Sequence, residues 1–269
     1  MGASKNDKRR QYDSSKTRVK PLMDWICESE TIKRLQRFLD MLGIKEDIKY
    51  HENSEICYGG EKKKEKSLLP PMEHLYWLVE NGDKLSIKAL NACSEETKKK
   101  RLEIASKCKN TITEAKNQIN NWFEDGAKSY GKWFLFESAS RPDIYIETDS
   151  HIIVIEAKRT EKSVTKGTTW LETRDQMIRH INCTYEANKS NGKNKKILAY
   201  YIVNKEFVNG NNAKILCEDL YDIEYYRKSI PYLKDNESAL NEIMNCYQKY
   251  IIWEDVMACF NKVDFPDKI

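Results

Sequence analysis

Arg141-Pro142-Asp143-Ile144-Tyr145-Ile146-Glu147, Thr148-Asp149-Ser150-His151, and Ile152-Ile153-Val154-Ile155-Glu156-Ala157-Lys158 form the continuous stretch that decides the fold. Two short runs rich in β-branched residues flank four turn-forming residues, which reads as a β-hairpin. A turn of two or four residues sets 147 opposite 152, 145 opposite 154 and 143 opposite 156. Asp143 then faces Glu156, and Lys158 shares that face because side chains alternate along a strand. Two carboxylates directly opposed in a sheet repel each other. Such a pair is kept where a cation sits between them, so hairpin parity points to a metal site. A three- or five-residue turn would instead put the two acids on opposite faces.

The chain has 269 residues, 40% of them hydrophobic, enough for one large domain or two small ones. No apolar run approaches the roughly 18 residues of a membrane span. The first twenty residues are polar and basic, without the apolar segment of a secretory leader. A soluble, cytoplasmic protein is expected, with its eight scattered cysteines as free thiols. Cys108 falls on the apolar stripe of a predicted helix. His51 and Cys57 have no partners at zinc-ligand spacing. The net charge of +4 is unevenly placed. Residues 1–20 hold seven basic and two acidic residues, while the remainder holds 39 basic and 40 acidic. The tail is expected to lack fixed structure, with non-specific binding to a phosphate backbone as the functional alternative.

A helix is predicted from Asp24 to Leu42, where Trp25, Ile26, Ile32, Leu35, Phe38, Leu39 and Leu42 recur at threes and fours. Residues 51–71, with Gly59-Gly60, a lysine-rich run and Pro70-Pro71, read as a loop. A second helix is expected over Met72–Glu80. A long third one starts near Ser94 and carries Ile104, Cys108, Ile112, Ala115, Ile119 and Trp122 on one stripe up to Gly126. Trp133–Glu137 reads as a strand, Trp170–Asn188 as a helix, and the apolar run Lys196–Val203 as a strand covered on both faces. Beyond it, a strand at Lys214–Cys217 and helices over Glu237 to about Ile251 and Trp253–Phe260 are expected. The divisions are a tail over 1–20, a helical region over 21–94, a core over 95–207 and a mostly helical region over 208–269. The helices at about 95–125 and 170–188 should cover opposite faces of a mixed sheet.

With its element order, the motif Pro142-Asp143, twelve residues, Glu156-Ala157-Lys158 resembles the PD-(D/E)XK nuclease superfamily over residues 95–207. The resemblance implies an α/β (α+β) restriction-endonuclease-like core of order αβββαβ, with extra N- and C-terminal helices. It implies a Mg²⁺-dependent endonuclease acting on DNA, with Mn²⁺ able to substitute. Asp143, Glu156 and the Ala157 carbonyl would hold the metal, and Lys158 would assist the attacking water and the transition state. The segment Arg174-Asp175-Gln176-Met177-Ile178-Arg179-His180 places Gln176 where family members carry a site glutamine. The tyrosine that often follows four residues later is His180 here. The family also implies a further acid, for which Glu114 ranks first by helix position and Glu137 second.

The chemistry agrees, since phosphodiester cleavage needs charge neutralisation and a hydroxide, and Mg²⁺ takes hard oxygen ligands. Plainer readings stand beside these. Asp143 alone would merely start a strand. Glu156 and Lys158 would form a solvated face, except that Ile152 and Val154 share it. Glu114 and Glu137 would be surface or pairing carboxylates, and His180 a structural histidine. Arg159, Lys162, Lys166, Arg179 and His180 are candidates for meeting nucleic acid. A non-catalytic nucleic-acid-binding or assembly protein on the same fold is the alternative function. Metal-dependent nicking of plasmid would tell the two apart.

Overall fold

The computed structural model describes residues 14–44, 54–60, 64–86, 94–127, 131–159 and 161–265. Its centre is a mixed five-stranded sheet in the order β1 (Glu55–Tyr58), β2 (Ile144–Glu147), β3 (His151–Lys158), β4 (Lys196–Val203) and β5 (Tyr247–Ile252). The first three strands form an antiparallel meander, and β4 and β5 continue it in parallel. Glu147 pairs with Ile152 and Tyr145 with Val154, the register that hairpin arithmetic demands.

Alternation along the strands builds two cores. Ile144, Ile146, Ile153, Ile155, Leu198, Tyr200 and Ile202 face one side. There they pack on α1 (Lys20–Glu28), α2 (Thr31–Leu42) and the C-terminal helix α10 (Trp253–Cys259). Tyr145, Ile152, Val154, Ile197, Ala199, Tyr201 and Val203 face the other. They are covered by α6 (Gln176–Ser190), α7 (Gly210–Cys217), α8 (Ile223–Ser229) and α9 (Glu237–Met244). Tyr200 and Tyr201 are both buried, as a strand covered on both faces requires. Each fully buried Ile or Val in these layers contributes ~1.5–3 kcal/mol of burial free energy.

Several expectations are corrected. The helices α4 (Glu95–Ala105) and α5 (Lys109–Glu124) do not cover the sheet. They pack with α3 (Met72–Glu80) into a third core that includes Trp122 and Phe136. The long helix expected there is broken at Lys107, whose φ of 62° lies in the left-handed region. Cys108 therefore caps α5 instead of sitting mid-helix. Glu30, with φ 47°, likewise divides the expected 24–42 helix in two.

Trp133–Glu137 is not a strand. Leu135 N–H closes a turn on the Lys132 carbonyl instead of joining a ladder, and Phe134, Leu135 and Phe136 are buried in the third core, away from the sheet. The first strand comes instead from 55–58, inside the expected loop. Residues 210–217 are helical, not a strand, and the expected 237–251 helix stops at Met244, after which 247–252 forms β5. The helix expected from Trp170 starts at Gln176. Residues 14–20 of the expected tail are helical and largely buried, while 1–13 lie outside the described residues. The seven described cysteines are all free thiols. Among the described residues, no helix is long and apolar enough to cross a membrane.

Candidate active site

Asp143 immediately precedes β2, and Glu156 and Lys158 end β3. The Asp143 Oδ2 accepts the Ala157 N–H at 2.8 Å, and its Oδ1 accepts the Ser15 hydroxyl. Glu156 Oε1 accepts from Lys158 Nζ at 2.8 Å and from Gln176 Nε2 at 2.7 Å. Lys158 also donates to Gln176 Oε1 at 3.0 Å, so the glutamine at the start of α6 bridges the acid and the base. Asp175 caps α6 by accepting the Ile178 N–H and thereby fixes where Gln176 emerges.

His180, one turn along α6, places Nε2 2.9 Å from Glu156 Oε2 and Nδ1 2.6 Å from the Ser140 hydroxyl. Because a carboxylate can only accept, Nε2 carries the proton and Nδ1 accepts from Ser140. Serine, histidine and glutamate in a row resemble a hydrolase triad. Ser140, however, is fully buried, and its backbone N–H and carbonyl both pair with Leu68, so no substrate reaches its hydroxyl. The histidine instead orients Glu156.

The electrostatics separate the two acids. Burial pushes the Asp143 carboxyl well up, and the neighbouring Glu156 charge adds to it. Burial also raises Glu156, but Lys158 and His180 outweigh it and hold the group at about 2. Burial is the largest influence on the Lys158 ammonium and lowers it, but Glu156, Glu161 and Asp143 together outweigh it, so the group stays charged. Burial keeps His180 neutral in spite of Glu156. The cluster thus holds a firmly ionised Glu156 beside an Asp143 that resists ionisation until another positive charge arrives.

Direct hydrogen bonds therefore join Glu156, Lys158, Gln176 and His180 into one set, and Asp143 accepts from the adjoining Ala157 backbone N–H. Other sequence candidates lie elsewhere. Glu114 bonds to Lys100 and to Gln118 on the α4–α5 pair, not to this cluster. Glu137 is fully buried and takes both a bidentate Arg174 and His74, the partners of a structural ion pair. His180 lies wholly beneath Glu156, away from any solvent-borne phosphate. Arg159 is largely buried beside the strand end, and Arg179 is half-buried on α6. Lys162 and Lys166 are exposed on the loop after β3. Asn212 clamps that loop through the Val164 N–H and the Lys162 carbonyl.

Sequence reasoning missed Ser14, Ser15 and Glu161. Ser14 donates to the Ala157 carbonyl at 3.0 Å, and Glu161 accepts the Arg159 N–H at 2.7 Å. A signal for the serines was present. Val19, Leu22, Met23 and Ile26 recur at helical spacing and extend the first helix toward them. Among the described residues, no three His, Cys, Asp or Glu side chains gather to hold a metal. The oxygen donors here are two carboxylates and a main-chain carbonyl. No family model, no curated protein and no solved structure matches the chain.

Proposed function

We propose that this chain is a Mg²⁺-dependent nuclease of the PD-(D/E)XK type, hydrolysing phosphodiester bonds in DNA. The observation that carries the reading is the placement of Asp143, Glu156 and Lys158 at the open end of the hairpin, with Gln176 bridging Glu156 and Lys158 and Asp143 bonded to the Ala157 N–H between them. The element order around it supports the αβββαβ core. A helix precedes a three-stranded meander, and α6 then crosses over to a strand parallel to the third. On this reading 31–42 and 55–58 supply the opening helix and strand of that core, in place of the expected helix over about 95–125 and the expected strand at Trp133–Glu137.

The donor set fits the cation, because Asp143, Glu156 and the Ala157 carbonyl are the hard oxygens Mg²⁺ or Mn²⁺ prefers. Such an ion would neutralise phosphate charge and make a hydroxide accessible near neutral pH. The chain's own residues do the rest. Lys158 and His180 hold Glu156 ionised, and His180 and Gln176 fix its orientation through one bond to each oxygen. Lys158, a compact cation anchored by Glu156 and Gln176, stabilises the charge that builds on the phosphoryl group. Lys162 and Lys166, on a loop pinned by Asn212, offer phosphate contacts that set the register of the strand being cut.

The test is plasmid nicking by purified protein with and without Mg²⁺, alongside electrophoretic binding. Asp143→Asn and Glu156→Gln should abolish cleavage and leave binding largely intact, since binding rests on distributed phosphate contacts. Lys158→Ala should cut slowly or not at all yet still bind metal, as the ammonium acts on the transition state. Wild-type rates from Asp143→Asn would assign the cleavage to another site and end this reading.

A further inference from the structure

Ala157 lies beyond the last rung of the β2–β3 ladder, which closes at Ile144 with Ile155. Within a strand, the N–H and carbonyl of one residue point toward the same neighbouring strand. The two backbone groups that β2 leaves without a ladder partner at Ala157 are met by side chains from elsewhere. Asp143 takes the N–H at 2.8 Å, and the Ser14 hydroxyl donates to the carbonyl at 3.0 Å. Ser15 then donates to the other oxygen of the same aspartate. Two neighbouring hydroxyls thus hold the carboxylate and the carbonyl that the proposed metal site would use.

The setting of these serines is specific. They open a π-helical turn, Ser15–Val19, in which the Lys20 N–H reaches back to the Ser15 carbonyl. Turns of this kind cost regular helix geometry and recur at functional sites. Buried Thr17, Arg18 and Val19 anchor the turn. At the end of β1, Gly59 passes so close that a Cβ there would lie 3.0 Å from the Ser15 Cβ and Oγ and 3.3 Å from Asp143 Oδ1. Its N–H also bonds the Asp143 carbonyl at 2.8 Å. A Cβ at Gly60 (φ +100°) would come 3.2 Å from the Ser15 carbonyl. Three segments distant in sequence therefore close on one carboxylate.

We infer that Ser14 and Ser15 are positioning residues for a divalent cation held by Asp143 and the Ala157 carbonyl. A carboxylate oxygen and a carbonyl oxygen each offer two lone pairs, so each can accept from a serine and still have a second to offer a cation. Their role is that of partners which orient metal ligands, whose loss lowers metal affinity by roughly 10–100-fold. The inference rests on the metal-dependent reading above.

Mn²⁺ binding to the full chain, followed by the loss of the free-ion electron paramagnetic resonance signal, tests it without reference to cleavage. Wild type should bind. Ser15→Ala and Ser14→Ala should bind about 10-fold or more weakly, while the metal-free variants remain folded and unfold in a single thermal transition at a modestly lower temperature. Ser15→Thr, which keeps the hydroxyl, should restore affinity. Gly59→Ala, which keeps both serines but crowds Ser15, should weaken binding in the same direction. Wild-type affinity in Ser15→Ala and Ser14→Ala, with binding lost in Asp143→Asn, would overturn the positioning role and leave the metal site standing. Tighter binding by Ser15→Ala would overturn it too, because the hydroxyl would then be a competitor for the ligand. Equal binding by wild type and Asp143→Asn would remove the metal site itself and the inference with it.

Discussion

At the scale of single residues, Asp175 shows how the site costs the fold something. Its carboxylate caps α6 and accepts from the Tyr225 hydroxyl, but complete burial pushes it up from 3.8 to about 6, against those two bonds. An acid raised on folding favours the folded state while protonated. That advantage fades as pH climbs through the window from 3.8 to about 6, and the ionised group is a liability above it. Asp175→Asn keeps a capping oxygen and removes the charge. It should therefore stabilise the protein by ~1–3 kcal/mol at pH 8 and by little or nothing at pH 4. Urea unfolding at the two pH values measures this, and an equal effect at both would contradict the account.

Among the elements, the segment 131–140 is held to α6 by a buried ion pair rather than by strand pairing. Glu137 takes the Arg174 guanidinium through two bonds of 3.1 Å, and the same arginine reaches the Asn182 side chain and the Ser229 carbonyl. Burial raises Glu137, yet Arg174 and His74 pull it far below its ordinary 4.5. A carboxyl lowered in this way contributes stability that is complete above about pH 4.5 and drains away as pH falls toward the folded value. Arg174→Met should strand a buried charge and cost ~3–5 kcal/mol near neutrality. That loss should shrink at pH 3, a difference that chemical denaturation can follow.

This pair also explains what the sequence could reveal. The hairpin was legible because Ile144–Glu147 and His151–Lys158 are dense in β-branched residues and their parity is unforgiving. Met72–Glu80 and Lys196–Val203 were legible for similar local reasons. Trp133–Glu137 looked like a strand because its apolar side chains are consecutive, and only the distant Arg174 and His74 reveal a buried turn. Glu-Ile-Cys-Tyr at 55–58 is too short and mixed to announce β1, which exists because β2 offers it an edge. In the candidate site, Asp143, Glu156 and Lys158 followed from local pattern, and Gln176 from the family resemblance. Ser14 and Ser15 did not, since the helical spacing that leads toward them says nothing of partners 143 and 128 residues away.

Across the whole molecule, three cores of unequal depth share one chain. Strands β3 and β4 are buried along nearly their full length, while α4 buries only Ile104. Amide protection should follow this inequality. Hydrogen exchange ought to be slowest in 152–157 and 197–203, set by global unfolding, and orders of magnitude faster in 95–105. Uniform protection across these segments would argue against separate cores.

The reach of the contacts around Asp143 and Glu156 carries a last consequence, for synthesis. Ser15, Gly59, Ala157 and His180 must all be present before those two carboxylates have their partners. At ~5–20 residues per second, the ribosome takes on the order of ten seconds to travel from the first of these to the last, and β4 follows later still. For most of that interval the nascent chain has yet to reach Asp143 and Glu156, and once both are made Glu156 still waits for His180. The constellation around these two carboxylates can therefore assemble only late in synthesis, after four segments far apart in sequence have all left the ribosome.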